Sequence, residues 1–286
     1  MQPIAIFAPV HKRRPVQAAR RLIEQLTQGQ ISVRLYPRLA RALRREDLAV
    51  DTEMIAVGAG LVISLGGDGS ALAATRAAAP VGTPVLGVNV GGLGFLTELD
   101  YHRLEAELPR VLAGDYQISE RMMLAVAVLR GGEEVNSQFA LNDLVVTKGP
   151  LARLMRLEAR VDGQPLADFA ADGVIIATPG GSTAYSLSAG GPLVAPEVRA
   201  MLLTPICAHT LSMRPLVVPA HARLEVSVGR IEREQQVVAT VDGQVAYPLE
   251  AKDVVSITQA PFPARLVTLG GPGFYEKLRT KLGWGG

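Results

Sequence analysis

The stretch LVISLGGDGSALAAT, residues 61 to 75, passes through three textures in a few residues. Its approach, AGLVISL (59 to 65), is apolar without alternation, as expected of a strand buried on both faces of a parallel sheet. Gly66, Gly67 and Gly69 then break the run, and ALAATRAAA (71 to 79) continues as an alanine-rich helix. A strand, a glycine turn and a helix start make a phosphate cradle: successive N–H groups turn toward an anion, and the helix adds its partial positive charge. No Lys-Ser/Thr follows the glycines, unlike a P-loop, and a carboxylate, Asp68, stands among them, unlike a dinucleotide fingerprint. A carboxylate repels phosphate unless it handles a proton or a metal. Asp68 is therefore a candidate general base for a hydroxyl proton, or a group oriented toward Mg²⁺. The alternative is that Asp68 caps the helix and the glycines only tighten the turn.

Working outward, IAIFA (4 to 8) reads as a strand, Pro15 to Thr27 as a helix and ISVRLY (31 to 36) as a second strand. TPVLGVNVG (83 to 91) repeats the strand, and LTELDYHRLEAELPRVLAG (96 to 114) reads as a helix ending at Gly114. This βαβα order predicts a doubly wound parallel sheet with ligands beyond the carboxyl ends of its strands. From Arg121 the texture changes to β-branched runs between turn signals. Val-Asp-Gly-Gln occurs at 161 to 164 and again at 241 to 244, a type I′ hairpin signal of which at least one copy is a plain turn. The last segment, GPGFYEKLRTKLGW (271 to 284), reads as a helix returning to the first domain. The expected fold is thus α/β plus β-rich. A doubly wound α/β domain over 1 to 118, joined by 265 to 286, accompanies a β-sandwich-like domain over 119 to 264.

Composition narrows the function. The 286 residues are 48% hydrophobic and 20% charged, as in globular proteins. A net charge of +2 with one Trp, six Tyr and six Phe supplies neither the charge surplus nor the stacking platform of a nucleic-acid binder, and leaves room for a small phosphorylated ligand. The single Cys207 forms no internal disulfide and reads as a buried apolar residue of a protein in a reducing compartment. The first residues place an apolar run before basic ones, the reverse of a secretory signal. No stretch approaches the ~20 apolar residues of a membrane span, so the expectation is a cytoplasmic protein without a membrane partner.

Two further clusters carry polar chemistry. ADGVIIATPGGSTAYSLSAGGPLVAP (171 to 196) crowds Ser182, Thr183, Tyr185, Ser186 and Ser188 around a helix-like start, a density suited to a polar small molecule. It lacks the Gly-x-Ser-x-Gly of a serine hydrolase, and none of His11, His102, His209 and His221 is visibly paired with it. Capping by Ser182 or Thr183 is the structural alternative. In LNDLVV (141 to 146), an amide and a carboxylate side by side interrupt a β run. They suit a ribose diol or a base edge, or a strand-edge turn. The basic run His11 to Arg14 reads as a solvated loop or as a contact to nucleotide phosphates.

Taken together, Gly66-Gly67-Asp68-Gly69, Asn142-Asp143 and the segment Gly180 to Pro192 resemble the bacterial NAD kinase family in order and spacing over essentially the whole chain. The first element is shared with phosphofructokinases and with diacylglycerol and sphingosine kinases; the long glycine and serine segment is specific to NAD kinases. The resemblance implies transfer of the γ-phosphoryl group of ATP, with a divalent metal (magnesium or manganese), to the 2′-hydroxyl of the adenosine ribose of NAD. Asp68 would be the proton acceptor, flanked by Gly67 and Gly69. Asn142 and Asp143 would hold adenosine, while Arg153, Asp172, Thr183, Ala184, Tyr185, Ser186, Leu187, Ser188 and Gln244 would contact the acceptor. The β-rich domain would be the NAD-binding one, in a homodimer or homotetramer.

Two positions depart from the family pattern. Asp143 stands where many members have Glu, one methylene longer, and Ala170 stands where many bacterial members carry a basic residue two before Asp172. The second bears on discrimination between NAD and NADH. A kinase of the same superfamily acting on a lipid or sugar phosphate, and a non-catalytic dinucleotide sensor, are the competing expectations.

Overall fold

The computed structural model describes residues 2–92, 94–149, 155–210, 212–229 and 236–284. The chain divides into two compact units, one of Met1–Glu120 with Phe262–Gly286 and one of Arg121–Pro261.

In the first unit, strands β1 (Ile4–Phe7), β2 (Val33–Leu35), β3 (Leu61–Gly66) and β4 (Val85–Asn89) pair in parallel in the order β2-β1-β3-β4. Helix α1 (Arg13–Gln28) buries Ala18, Ala19, Leu22, Ile23 and Leu26, a stripe at helical spacing. The stripe packs with Ile4, Ile6, Ile63 and Leu65, with α2 (Pro37–Leu43) and α4 (Tyr101–Leu112) contributing to the same cluster. Ala5, Phe7 and Val62 alternate to the opposite face, where Ala74 and Ala78 of α3 (Asp68–Ala78) cover them. The chain leaves β1 toward β2 and restarts at β3 on the other side, so the order reverses between β1 and β3. The glycine turn closes β3 at that switch point, where α/β sheets present ligands. The run 96 to 114 is helical only from Tyr101, because Leu99 and Asp100 first pair with Val88 and Asn89 as the short strand β5 (Leu99–Asp100). Strand β6 (Gln117–Arg121) lies at the far edge of the sheet.

The second unit contains two antiparallel sheets. One orders β11 (Gln164–Ala171), β10 (Met155–Val161), β15 (Leu224–Val228), β18 (Val254–Gln259), β7 (Leu124–Arg130) and β8 (Glu133–Ala140). The other orders β14 (Leu216–Pro219), β13 (Ala200–Ile206), β12 (Gly173–Ala177), β9 (Asp143–Lys148), β16 (Val237–Val241) and β17 (Val245–Leu249). Leu124, Val126 and Val128 from one sheet and Leu144, Val146, Val174 and Ile176 from the other share a single core, which makes the unit a sandwich. The outer face of the second sheet is buried too: Val145, Ile175, Ala177 and Leu202 lie beneath Ala189 and Val194. That is why β12 reads as an unbroken apolar run.

Both Val-Asp-Gly-Gln copies are hairpin turns with positive φ at the central pair, 51° and 77° at Asp162-Gly163 and 51° and 63° at Asp242-Gly243. Cys207 corrects an expectation. It is exposed, with φ 46°, because β13 ends at Ile206 and the thiol sits in the turn that leaves the sheet. After β18 the chain returns to the first unit. Strand β19 (Ala264–Thr268) pairs in parallel with β4, and helix α6 (Phe274–Leu282) follows, ended by Gly283 at φ 67°. Among the described residues no helix is long and apolar enough to cross a membrane.

Candidate functional site

In the first unit the glycine turn is built around Asp68. Gly67 is the N-cap of α3, and Gly67 and Gly69 are exposed. Gly66 is required for space, since a Cβ there would overlap the Ser70 side chain. Asp68 makes no cap bond to its own helix, so the capping alternative is not realised. Its Oδ2 accepts the backbone N–H of Phe95 and its Oδ1 that of Leu96, each at 2.9 Å. Two amides thus fix the carboxylate while leaving each oxygen further acceptor capacity. The loop carrying these amides comes close because residue 94 is glycine; a Cβ there would overlap the Asp68 carboxylate. Asn89, whose Cα pairs with Gly66 across β3 and β4, anchors the start of this loop. Its side chain accepts Gly91 N–H at 2.9 Å and donates to Asp100 at 2.7 Å. Beside it opens a cavity of about 520 Å³ lined by Arg14, Gln17, Arg21, Asn89, Tyr101 and His102.

In the second unit, the start of β9, the end of β12 and the end of β16 meet at one end of their sheet, with Ala177 opposite Asp143 and Val241 opposite Leu144. Asn142 and Asp143 are clamped there from both sides. Thr178 donates its hydroxyl to Leu141 O at 2.6 Å and its N–H to Asn142 O at 2.8 Å. Gly181 packs so closely on Asn142 that a Cβ would overlap its carbonyl oxygen. On the other side the Asp242 carboxylate accepts the N–H groups of Leu141, Asn142 and Asp143 at 3.0, 2.8 and 3.2 Å. Asp143 is buried at 4% exposure. Burial, together with the neighbouring Asp242 charge, pushes its carboxyl up to about 7, against the opposing pull of the Tyr185 backbone N–H.

The serine-rich segment forms a 3₁₀ turn over Gly180–Thr183 and the four-residue helix α5 (Tyr185–Ser188) rather than one long helix. Its hydroxyls divide. Ser182 exchanges two 3.1 Å bonds with the Val194 backbone, and Ser186 is fully buried on Thr204 at 2.9 Å, so both tie the segment to its own core. Tyr185 and Ser188 are exposed, as is Gln244, while Thr183, Ala184 and Leu187 are half-buried. Neither Ser182 nor Thr183 caps a helix; Thr183 bonds back to Gly180 O. Asp172 precedes the other end of β12, about 17 Å of extended chain from Ala177. There it pairs with Lys148 at 3.0 Å, apart from the Asn142 group. Arg153 lies outside the described residues.

Nothing local in the sequence singles out Asp242, Thr178 or the 94 to 97 loop, apart from the repeated Asp-Gly at Asp242. In the other copy of this turn, among the described residues, the Asp162 carboxylate accepts the Arg223 N–H at 2.8 Å.

Residues 9–116 match the family model described as ATP-NAD kinase N-terminal domain, and residues 141–269 match that of the ATP-NAD kinase C-terminal domain. The chain is 46% identical to an NAD kinase of Citrifermentans bemidjiense, covering 100% of this chain and 99% of that one. It is likewise 46% identical to an NAD kinase of Moorella thermoacetica, covering 100% and 91%. Among solved structures it is similar to a yeast NADH kinase complexed with NADH, with a TM-score of 0.90 and 25% identity over 100% of this chain and 88% of that one.

Proposed function

The chain belongs to the ATP-NAD kinase family, whose reaction phosphorylates NAD to NADP at the expense of ATP, and from that premise we propose how its residues divide the work. The 2′-hydroxyl of the adenosine ribose attacks the γ-phosphorus of ATP. A ribose O–P bond forms, the bond to the β-phosphate bridging oxygen breaks, ADP leaves, and the hydroxyl proton passes to Asp68. The observation that carries this role is the pair of amides from Phe95 and Leu96, which hold the carboxylate in one orientation without filling its acceptor capacity. Phosphoryl transfer proceeds through a loose transition state, so positioning and charge neutralisation are most of what the protein supplies.

Asn142 and Asp143 hold the adenosine, and the clamp formed by Asp242 and Thr178 keeps them in place. Near neutral pH a protonated Asp143 donates to a ligand acceptor, and an ionised one accepts a ribose hydroxyl. The exposed Tyr185, Ser188 and Gln244, with Thr183, Ala184 and Leu187, border the acceptor. Ser186 supports them from below through Thr204. Asp172 is too far along β12 to share the adenosine and serves a remote part of the dinucleotide; Arg153 contacts the same ligand. The exposed Gly67 and Gly69 suit the approach of phosphate.

Magnesium, or manganese, neutralises the triphosphate when bound. Such an ion would be held mainly by the substrate phosphates, and Asp68, which takes the hydroxyl proton, is not assigned to it. We also place the enzyme in the cytoplasm, supported by its lone cysteine, and assign it as a homodimer or homotetramer. Support for assembly comes from edge strand β14, where Leu216 and Val217 are exposed. ³¹P spectroscopy of the product from NAD, ATP and Mg²⁺ tests the acceptor position. A 2′-phosphomonoester is expected; phosphorylation of liposomal diacylglycerol without any of NAD would overturn the reading.

A further inference from the structure

We propose that Lys277, on the C-terminal helix α6, is a positioning residue for phosphoryl transfer that acts through the Phe95–Leu96 peptide on Asp68; this rests on the reading of Asp68 as the proton acceptor. Lys277 is buried at 7% exposure, and its Nζ donates to Thr97 O at 2.8 Å and to Phe95 O at 3.3 Å. The N–H of that same Phe95–Leu96 peptide donates to Asp68 Oδ1, and the preceding N–H, of Phe95, donates to Asp68 Oδ2. One peptide group is therefore bracketed, with an ammonium on its carbonyl and a carboxylate on its amide. Such an arrangement polarises the peptide and strengthens both bonds.

The rest of the C-terminal segment reinforces this loop. Glu98 Oε1 accepts from Thr268 Oγ1 at 2.9 Å, Leu269 N–H at 2.6 Å and Gly271 N–H at 2.9 Å. Lys281 Nζ lies 4.7 Å from the centre of the Phe95 ring. Among the described residues of α6, only Lys277 and Leu278 are buried. Packing alone would be served by an apolar side chain at 277, since a buried ammonium is costly unless its donors are used. Two of its bonds go to the carbonyls of Phe95 and Thr97, on either side of Leu96. The loop also carries Gly94, whose lack of a side chain admits the Asp68 carboxylate, so a small displacement of the loop moves the carboxylate or releases it.

The test compares Lys277→Met and Lys277→Arg with the parent enzyme, and repeats Lys277→Met in an Asp68→Asn background. The Met variant should lose about 10²-fold in kcat, the scale of an ångström-sized misplacement, with KM for NAD and ATP changed by less than about threefold. The Arg variant, which keeps donors for both carbonyls, should stay within about fivefold of wild type. In the Asp68→Asn background the Met substitution should cost almost nothing more. A kcat for Lys277→Met within about twofold of wild type in a folded protein overturns the proposal, as does an equal loss in both backgrounds. Wild-type activity in Asp68→Asn alone would instead sink the reading of Asp68. Where the Met variant melts below the assay temperature, amide exchange in the wild-type protein decides. Phe95 and Leu96 amides protected like those of β4 support the bracket, and exchange at open-loop rates overturns it.

Discussion

The carboxylate of Asp242 accepts the backbone N–H of Asn142 at 2.8 Å across 100 positions of sequence. It takes the amides of Leu141 and Asp143 as well, so one hairpin turn fixes the conformation of the whole segment. The Asn142-Asp143 pair, proposed to hold adenosine, thus sits on backbone that is already satisfied, and ligand binding need not order it. The turn residue Asp242, at φ 51°, directly follows Val241, the last residue of β16, so its side chain lies at the end of the sheet where Leu141, Asn142 and Asp143 stand.

Replacing Asp242 with Ala strands buried donors. We expect a stability loss of about 1 to 3 kcal/mol by denaturant titration together with a raised KM for NAD. Asp162→Ala, in the matching turn, should lower stability less and leave the KM for NAD unchanged, since among the described residues its carboxylate accepts the single amide of Arg223. Equal effects on KM from the two substitutions would refute the clamp.

Adding one methyl group at Gly94 tests the seat of Asp68. The new Cβ would overlap the carboxylate, and Gly94→Ala should lower kcat by about 10²-fold in steady-state assays of folded protein. Unaltered kcat would show that the orientation of this carboxylate does not matter to the reaction.

Asp143 makes stability depend on pH in a direction opposite to most carboxylates. Its folded-state value, about 7, lies above the ordinary range near 4, so the folded protein holds the proton over an interval in which the unfolded chain has lost it. Stability should therefore fall as pH rises from about 4 to about 7, by at most about 1.4 kcal/mol per unit from this group, and level off above. Asp143→Asn should flatten that slope in melts taken at successive pH values. Parallel curves for the two proteins would contradict it.

Ser186 and Tyr185 are neighbours with different tasks. Ser186→Ala removes a buried hydroxyl pair with Thr204 and should cost about 1 kcal/mol of stability with little change in KM for NAD. Tyr185→Ala, at an exposed position, should leave the melting temperature unchanged and raise that KM. The reverse pattern would put the acceptor contact on Ser186 instead of Tyr185.

How much of this could be read from the chain alone follows from the range of the interactions. The buried strand and glycine turn at 61 to 75 are local, and so is the period-two burial of Leu124, Val126 and Val128; both architectures were legible. Cys207 misled because an apolar strand ran up to it, and only the position of the strand end exposes the thiol. The division of hydroxyls in 182 to 188 depends on Val194 and Thr204. The partners of Asp68, from 27 and 28 residues away, and those of Lys277, from 180 and more, are set by tertiary packing that no local pattern encodes.

Whether Asp68 takes the ribose hydroxyl proton is tested by a coupled assay of NADP formation from NAD, ATP and Mg²⁺, run on the wild-type protein and on Asp68→Asn with melting curves alongside. Turnover by the wild type and a loss of about 10² to 10⁴-fold in kcat for a folded Asp68→Asn are expected. Activity of the variant within about twofold of the wild type would contradict the role given to Asp68.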